Sequence, residues 1–583
     1  MRRIVSVVAV AWFAQTAGAQ LSAPVHVPSV DDWRQDVDQL VADIRLLHPD
    51  PFTKRGTLAF LRDVIAFKDS IPMLSDEQRV VHAMRLVASL GDGHTLLEPD
   101  NPRYALWYPI RLYSFADGTF ITSAHASVKD LVGGMVLEIG GRPASVALND
   151  ARSLIGADNP WAATERTWAI ANAGLMKGLG YAAADGSLRV KVRLANGREV
   201  ERTLQPSRTD NPRFKADDAT FEWQYRPEVY GLPFGSDDAW TTTYKGLQAS
   251  AFSVTDTTRP PFFLDRKPYV ARSIPAASAY YVRNNYVTDT DFIPFFQSVL
   301  ADVDRAKPKH LIIDWRFNIG GDGSKLQYLV RELAKRADTR AWTNLYVLTG
   351  PKTFSAAVMA VDAVLDVVHA TVVGEPTAAG RNHFGDPTSR PLARTGMRLN
   401  VSTLRHQLGS SDDLREFIAV DVPAPMTFAE YANGRDPAVD PILRGDDMRS
   451  IPLIAEADGG LAARKVYEDR ARRFGGLAWY TPPPEFDLRQ ACDALREHDR
   501  IAEAVETCRL NADVHPDVWN TWYNLATVQR AAGQQKERLA SYRCVVAIAP
   551  NNWNVPNLKR LLAMPGNEGD DTAPGCPVRK LTQ

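Results

Sequence analysis

The stretch His310-Leu311-Ile312-Ile313-Asp314-Trp315-Arg316-Phe317-Asn318-Ile319-Gly320-Gly321 decides how this chain is read. It opens as a compact strand-like run and ends in a glycine pair. A helical pattern follows near Lys325–Lys335, then a second strand-like run at Leu345–Thr349. A helix from Ala356 to Val368 and a third run at Thr371–Val373 complete the series. Strand and helix alternating at this period predict parallel strands with crossover helices, so residues 266–454 are expected to form an α/β core.

Upstream, Ser29 with Asp32 reads as a helix N-cap ahead of Trp33, Val37, Leu40, Val41, Ile44 and Leu47, which recur at helical spacing. His48-Pro49 and Pro51 stop that helix. Ser75 with Gln78 opens another, whose apolar face includes Val81, Met84 and Leu90 and whose end delivers Gly91-Asp92-Gly93-His94-Thr95. Residues 20–106 therefore read as a helical region. From 107 to 210, strand-like runs such as Tyr108–Leu112 and Leu188–Leu194 alternate with turns at Asp117-Gly118 and Asn196-Gly197. Within them, Leu131–Pro143 places a strand before an Ile-x-Gly turn and resembles the core of a PDZ-like β module. Residues 211–265 are polar, aromatic and interrupted by proline, and are expected to be a loop-rich bridge.

Downstream, Gly475-Gly476 and Pro482–Pro484 mark a linker or sharp bend. Beyond it, Trp522-Tyr523-Asn524-Leu525-Ala526, Ala532-Gly533, Tyr542 and Pro550 fall at the spacings of a tetratricopeptide repeat, and Pro482, Pro516 and Pro550 recur every 34 residues. An α-helical repeat domain is expected over 455–563, followed by a tail at 564–583. All four cysteines lie here: Cys492, Cys508, Cys544 and Cys576. They are either two disulfides, with three possible pairings, or four buried thiols. Cys492 and Cys508 fall one on each helix of the first repeat, which favours Cys492–Cys508 with Cys544–Cys576.

Residues 1–19 have the form of a secretory signal: Arg2-Arg3, an apolar run from Ile4 to Ala14, and Ala17-Gly18-Ala19 before Gln20. A run that short does not span a bilayer, so export without stable membrane insertion is expected, to the periplasm or the medium. The chain has 583 residues, 45% of them hydrophobic, which is too large for one core. Its formal net charge of −1 argues against a nucleic-acid partner, which needs a basic face.

Three segments carry chemistry together. Cleaving a peptide carbonyl requires an activated nucleophile, a proton acceptor and donors aimed at the developing oxyanion. Ser355 follows a strand and opens a helix, where free N–H groups favour an anion; the alternative is a serine that caps the helix. The glycines at 320 and 321 permit backbone conformations in which N–H groups converge, although an ordinary βα turn uses them too. His94, in a glycine-flanked turn with Asp92 and Thr95 beside it, is the candidate general base; the alternative is a structural histidine. Asp314 and Arg316 are expected to brace the glycine loop rather than touch substrate. Other engines are absent: the sequence has no G-x-S-x-G elbow, S-x-x-K pair, H-E-x-x-H or P-loop, and no cofactor or metal is expected.

In their order and contexts, GDGHT at 91–95, DWRFNIGG at 314–321 and TFSAA at 353–357 resemble the serine peptidase family of tail-specific (C-terminal processing) proteases and the tricorn core protease. Val373-Gly374-Glu375-Pro376-Thr377, Asp421 and Gly434-Arg435-Asp436-Pro437 extend the resemblance, which covers roughly residues 30 to 450. It implies a ClpP/crotonase-like core, a spiral of ββα units. The tail-specific branch places a lysine after the nucleophile helix, where this chain reads Thr377-Ala378-Ala379-Gly380-Arg381. Arg381 cannot replace it, because a guanidinium does not deprotonate in a protein. The tricorn-like version uses a histidine where His94 stands, which implies His94 as base and Ser355 as nucleophile. It implies oxyanion donors on Gly320 or Gly321 and on Ala356, with Asn318 in the supporting motif. An orienting acid is also implied; Glu416 is its candidate, on a segment (413–421) that departs from the family pattern. The resemblance thus implies a metal-independent peptidase acting on a peptide or protein, with a further protein partner at the helical repeats. A silent binding protein on the same scaffold, or an esterase, remains the alternative.

Overall fold

The computed structural model describes residues 27–99, 104, 106–164, 167–207, 240–242, 269–288, 290–567, 569 and 571–577. The expected signal segment and most of the expected bridge lie outside them.

Both capping signals form as read. Ser29 and Asp32 make a reciprocal capping box that starts the helix Val30–Leu47, and Ser75 with Gln78 does the same for Asp76–Ala88. Between them lies Thr57–Ser70. These helices bury Trp33, Leu40, Ile44, Phe60 and Val87. The short strand β1 (Leu96–Glu98) follows directly after the His94 turn.

The next strands are β2 (Ile110–Phe115), β3 (Gly118–His125), β4 (Met135–Ile139), β5 (Arg142–Pro143), β6 (Leu188–Arg193) and β7 (Glu199–Leu204). They form an antiparallel sheet in the order β2-β3-β4-β6-β7, with β5 on β4. The expected loop-rich bridge contributes one described element, and it is a strand: β8 (Trp240–Thr242) pairs with β3. The N-terminal helices and this sheet do not have separate interiors. One apolar cluster runs from Trp33 through Ile121 and Val192 to Leu204, and takes in Leu399 and Val401 as well.

The α/β core contains β9 (Tyr269–Ile274), β10 (Ala279–Asn284), β11 (His310–Asp314), β12 (Asn344–Thr349), β13 (Thr371–Gly374), β14 (Asn382–Leu392), β15 (Met397–Gln407) and β16 (Val422–Pro423). Six of these build one sheet in the order β16-β13-β12-β11-β10-β9, parallel except where β9 meets β10. Helices Phe292–Ala306, Leu326–Asp338 and Ala356–Val367 connect successive parallel strands. Every residue of β11 is buried, as its continuous apolar run requires. The hairpin β14–β15 stands apart from this sheet, and β15 takes up β1, with Leu97 opposite Leu399. That pairing carries the His94 turn to the core.

The C-terminal region is helical: Ile451–Asp458, Gly460–Phe474, Glu485–Glu497, Ile501–Val514, Trp519–Ala531, Gln535–Ile548 and Val555–Leu562. Ile451 and Ile454 pack with Leu488 and Leu510, so the first of these helices belongs with the helical region and straddles the expected boundary at 455. Trp522 is fully buried at the centre of the next cluster. Cys492 pairs with Cys508 and Cys544 with Cys576. No helix among the described residues is long and apolar enough to cross a membrane.

Candidate active site

β12 ends at Thr349, and after a tight connection Ser355 opens the helix Ala356–Val367. Ser355 has φ +55° and ψ −127°. A residue with a Cβ is strained there, at about 1–3 kcal/mol, and stays only where its surroundings over-determine it. The surroundings are rigid. Phe354 N–H donates to Asn318 O at 3.0 Å. Thr353 Oγ1 donates to Trp315 O at 2.9 Å and accepts from Gly350 N–H at 2.9 Å. Ser355 stands at the cap position, yet its side chain makes no capping hydrogen bond. The capping role that Ser355 would serve in an ordinary helix is therefore not performed.

The glycine pair presses against this turn with φ +105° at Gly320 and +130° at Gly321. A Cβ on Gly320 would sit 2.6 Å from Ser355 Cβ and 3.0 Å from Ala356 N; one on Gly321 would sit 2.1 Å from Val287 O. Neither position admits a side chain. Gly320 N–H, however, already donates to Asn318 Oδ1 at 2.9 Å. Of the two glycines expected to offer an oxyanion donor, Gly320 is thus engaged by its own loop, and the donors not engaged by described residues are Gly321 N–H and Ala356 N–H. Asn318 is buried and also donates from Nδ2 to Asn284 O at 3.1 Å, which locks both loops.

Arg316 grips Asp314 through Nε at 3.0 Å and Nη2 at 2.6 Å, and Asp436 through two bonds of 2.9 and 2.8 Å. Tyr281 Oη adds a 2.6 Å bond to Asp314. Burial alone would raise the Asp314 carboxyl, but Arg316 outweighs it and holds the carboxyl below its ordinary value. The Gly434–Pro437 segment thus supplies the second carboxylate of a buried brace, under the strand end from which the glycine loop departs.

The His94 turn is built on Asp92. Its carboxylate accepts from Ser402 Oγ at 2.6 Å and from His94 N–H at 2.9 Å, and lies 3.2 Å from His48 Nε2. Asp50 N–H donates to His48 Nδ1 at 3.1 Å, so Nε2 carries the proton toward Asp92. Burial acts to raise the Asp92 carboxyl; the His48 bond, the neighbouring His94 and Ser402 overcome it and keep Asp92 ionised well below the usual range. Gly93 N–H donates to Asp158 Oδ2 at 3.0 Å. The His94 ring stacks on Phe354, with centroids 4.1 Å apart and planes at 23°. Phe354 immediately precedes Ser355, so this stack joins the two candidate catalytic segments.

Glu416 has a half-exposed carboxylate 3.9 Å from Lys54 Nζ, and Lys54 in turn donates to Asp158 O beside the His94 turn. Arg381 lies against Asp362 at 2.5 Å and Asp366 at 3.2 Å, both on the helix after Ser355. Two residues past Arg381 is a group that sequence reasoning missed. His383 is buried, places Nδ1 3.0 Å from Gly380 O, and holds its ring nearly parallel (13°) to His94 with centroids 6.3 Å apart. Burial pushes its pKa down to about 4, helped by the neighbouring His406 and opposed by the Gly380 bond. The resemblance puts a lysine in this segment, and spacing gives no sign that β14, which begins at Asn382, would turn a histidine inward. Phe354 was in view as part of the serine segment, but nothing in sequence marks a stacking partner over so long a separation.

No family model and no curated protein matches this sequence. Solved structures are similar to it at low identity. Mature CPAF complexed with lactacystin is 13% identical, the match covering 72% of this chain and 99% of that one, with a TM-score of 0.46. The photosystem II D1 C-terminal processing protease is 12% identical over 72% of this chain and 98% of that one, TM-score 0.33. The tricorn protease is 13% identical over 71% of this chain and 36% of that one, TM-score 0.31.

Proposed function

We propose that this chain is an exported serine peptidase of the tail-specific and tricorn protease family, of the Ser-His type. Ser355 Oγ attacks the peptide carbonyl carbon and its proton passes to His94. The oxyanion is received by Gly321 and Ala356 N–H, at the positive end of the nucleophile helix. His94 then returns the proton to the leaving amine, and water hydrolyses the acyl-enzyme in a second, symmetrical passage. The buried negative charge of Asp92, beside His94, favours the imidazolium that forms between these transfers. The core is read as a ClpP/crotonase-like spiral, the sheet of β2 to β7 as a PDZ-like module, and the C-terminal helices as tetratricopeptide-like repeats that hold a protein partner.

The observation that carries this reading is the strained, uncapped Ser355 at the mouth of a helix, with the His94 ring packed on the residue before it. Backbone strain of this kind concentrates at functional sites. The paired cysteines support passage through an oxidising compartment. The test is hydrolysis of an unfolded protein substrate by the wild type and by Ser355→Ala. The wild type should cut it and the variant should not; equal cutting by both, or none by either at high enzyme concentration, would refute the peptidase. Turnover of simple esters alone would point to an acyl hydrolase instead.

A further inference from the structure

His383 is a buried imidazole with one nitrogen accounted for. Its Nδ1 lies on the Gly380 carbonyl, which can only accept, so Nδ1 carries the proton and Nε2 is a bare lone pair. That Nε2 is buried and has no hydrogen-bond partner among the described residues. A buried acceptor without a donor is costly and therefore rare, and asks what donor it is kept for. The ring neighbours both His94, with centroids 6.3 Å apart and planes at 13°, and His406, at 5.3 Å and 41°. His406 directs Nε2 to Asp386 at 2.8 Å. His94 is the neighbour whose ring gains a proton during the proposed reaction.

We propose that His383 is a positioning residue: its Nε2 accepts the second N–H of the His94 imidazolium and so fixes the orientation of the base. The inference rests on the Ser355–His94 reading. As the Ser355 Oγ–carbon bond forms, the hydroxyl proton moves to one His94 nitrogen and the N–H on the other donates to His383. No proton moves onto His383, whose own Nδ1–H stays on Gly380. The centroid distance is longer than a direct bond needs, and catalytic contacts of this kind tighten when substrate closes the site. Its low pKa keeps the acceptor neutral above about pH 4. The charged groups around it are Asp92 and the His406–Asp386 pair, with Asp158 bonded to Gly93 N–H in the His94 turn. Glu416, the acid the motif resemblance offered for this role, is turned toward Lys54.

The experiment compares His383→Phe, which keeps a ring and removes the acceptor, with His383→Gln, which restores one. Turnover of a peptide substrate is measured together with the titration of His94, followed by ¹⁵N imidazole resonances in the Ser355→Ala background. His383→Phe should lower kcat by about 100-fold with KM within about twofold of wild type, and His383→Gln should recover about tenfold of that loss. The His94 titration should move to lower pH in His383→Phe and stay put in Glu416→Gln. If phenylalanine does not fold here, His383→Met against His383→Gln gives the same comparison. A loss confined to KM, an unmoved His94 titration, or a shift produced by Asp158→Asn but not by His383→Phe would overturn the proposal. Because the titration needs no turnover, it still decides His383 if Ser355→Ala proves as active as wild type, an outcome that would sink the peptidase reading alone.

Discussion

The Ser355 turn and the C-terminal helix pairs are held by opposite means. Around Ser355 the contacts are polar, buried and directional: Asn318 bonds two loops, Thr353 pins the connection, and Arg316 clamps two carboxylates. In the helix pairs the contacts are apolar seams around Trp522 and Leu525, closed by two disulfides. Apolar packing tolerates exchange of shape for shape and stabilises in proportion to area. A buried polar network tolerates little, because each group removed leaves a partner unsatisfied. The first means holds a strained backbone in one geometry; the second holds successive helices together. The two regions should therefore fail differently when cut, one in activity and the other in stability.

The largest expected effect sharpens that contrast at the turn. Ser355→Ala and His94→Ala should each lower peptide turnover by on the order of 10⁴-fold or more, and the double variant little further, because nucleophile and base act as a unit. Their unfolding midpoints should stay near wild type. Steady-state kinetics beside calorimetry reads both halves of the statement.

Next comes the brace below the turn. Arg316→Met takes from Asp314, almost wholly inaccessible at 1% exposure, the cation that bonds it and leaves only the charge of Arg283 nearby, and should cost about 3–5 kcal/mol. Denaturant unfolding measures it. A loss under about 1 kcal/mol would put this brace in the class of surface ion pairs.

Cutting the other region should spare catalysis. Cys492→Ser with Cys508→Ser removes a closed loop from the helix pairs, and should lower the stability of that region by about 2–4 kcal/mol while leaving kcat unchanged. A fall in kcat would show that the helical region shapes the site.

The smallest expected effect lies where the regions meet. Asp421 lines the cleft between the nucleophile helix and helix Glu485–Glu497, accepts Val372 N–H at 2.8 Å, and is pushed up to about 7 by burial. Between about pH 4, where the unfolded carboxyl titrates, and pH 7, the folded chain holds the extra proton, so this group makes stability fall as pH rises. Asp421→Asn should match wild type near pH 4 and exceed it by a margin that grows up to about pH 7 and then levels off. Parallel stability curves would contradict the shift.

What was legible in sequence was local. Two capping boxes, the apolar run of β11 with its glycine pair, and the start of the serine helix are written in residues a few positions apart, where spacing alone dictates geometry. Long-range closure was not legible. Nothing near Leu97 announces Leu399 as its partner, yet that pairing carries the His94 turn to the core, where its ring meets Phe354. The engagement of Gly320 N–H by Asn318 depends on a side-chain rotamer, and the inward turn of His383 on how β14 leaves the core. The charge of Asp436 was in plain view within a quoted segment; its bond to Arg316 was not.

The central claim, a nucleophile at Ser355 activated by His94, is tested most directly by a fluorophosphonate probe with peptide mapping of the label. The account expects one label per chain, on Ser355, absent in Ser355→Ala and slowed by several orders of magnitude in His94→Ala. A label carried by any other residue, or labelling of Ser355 at the same rate without His94, would contradict it.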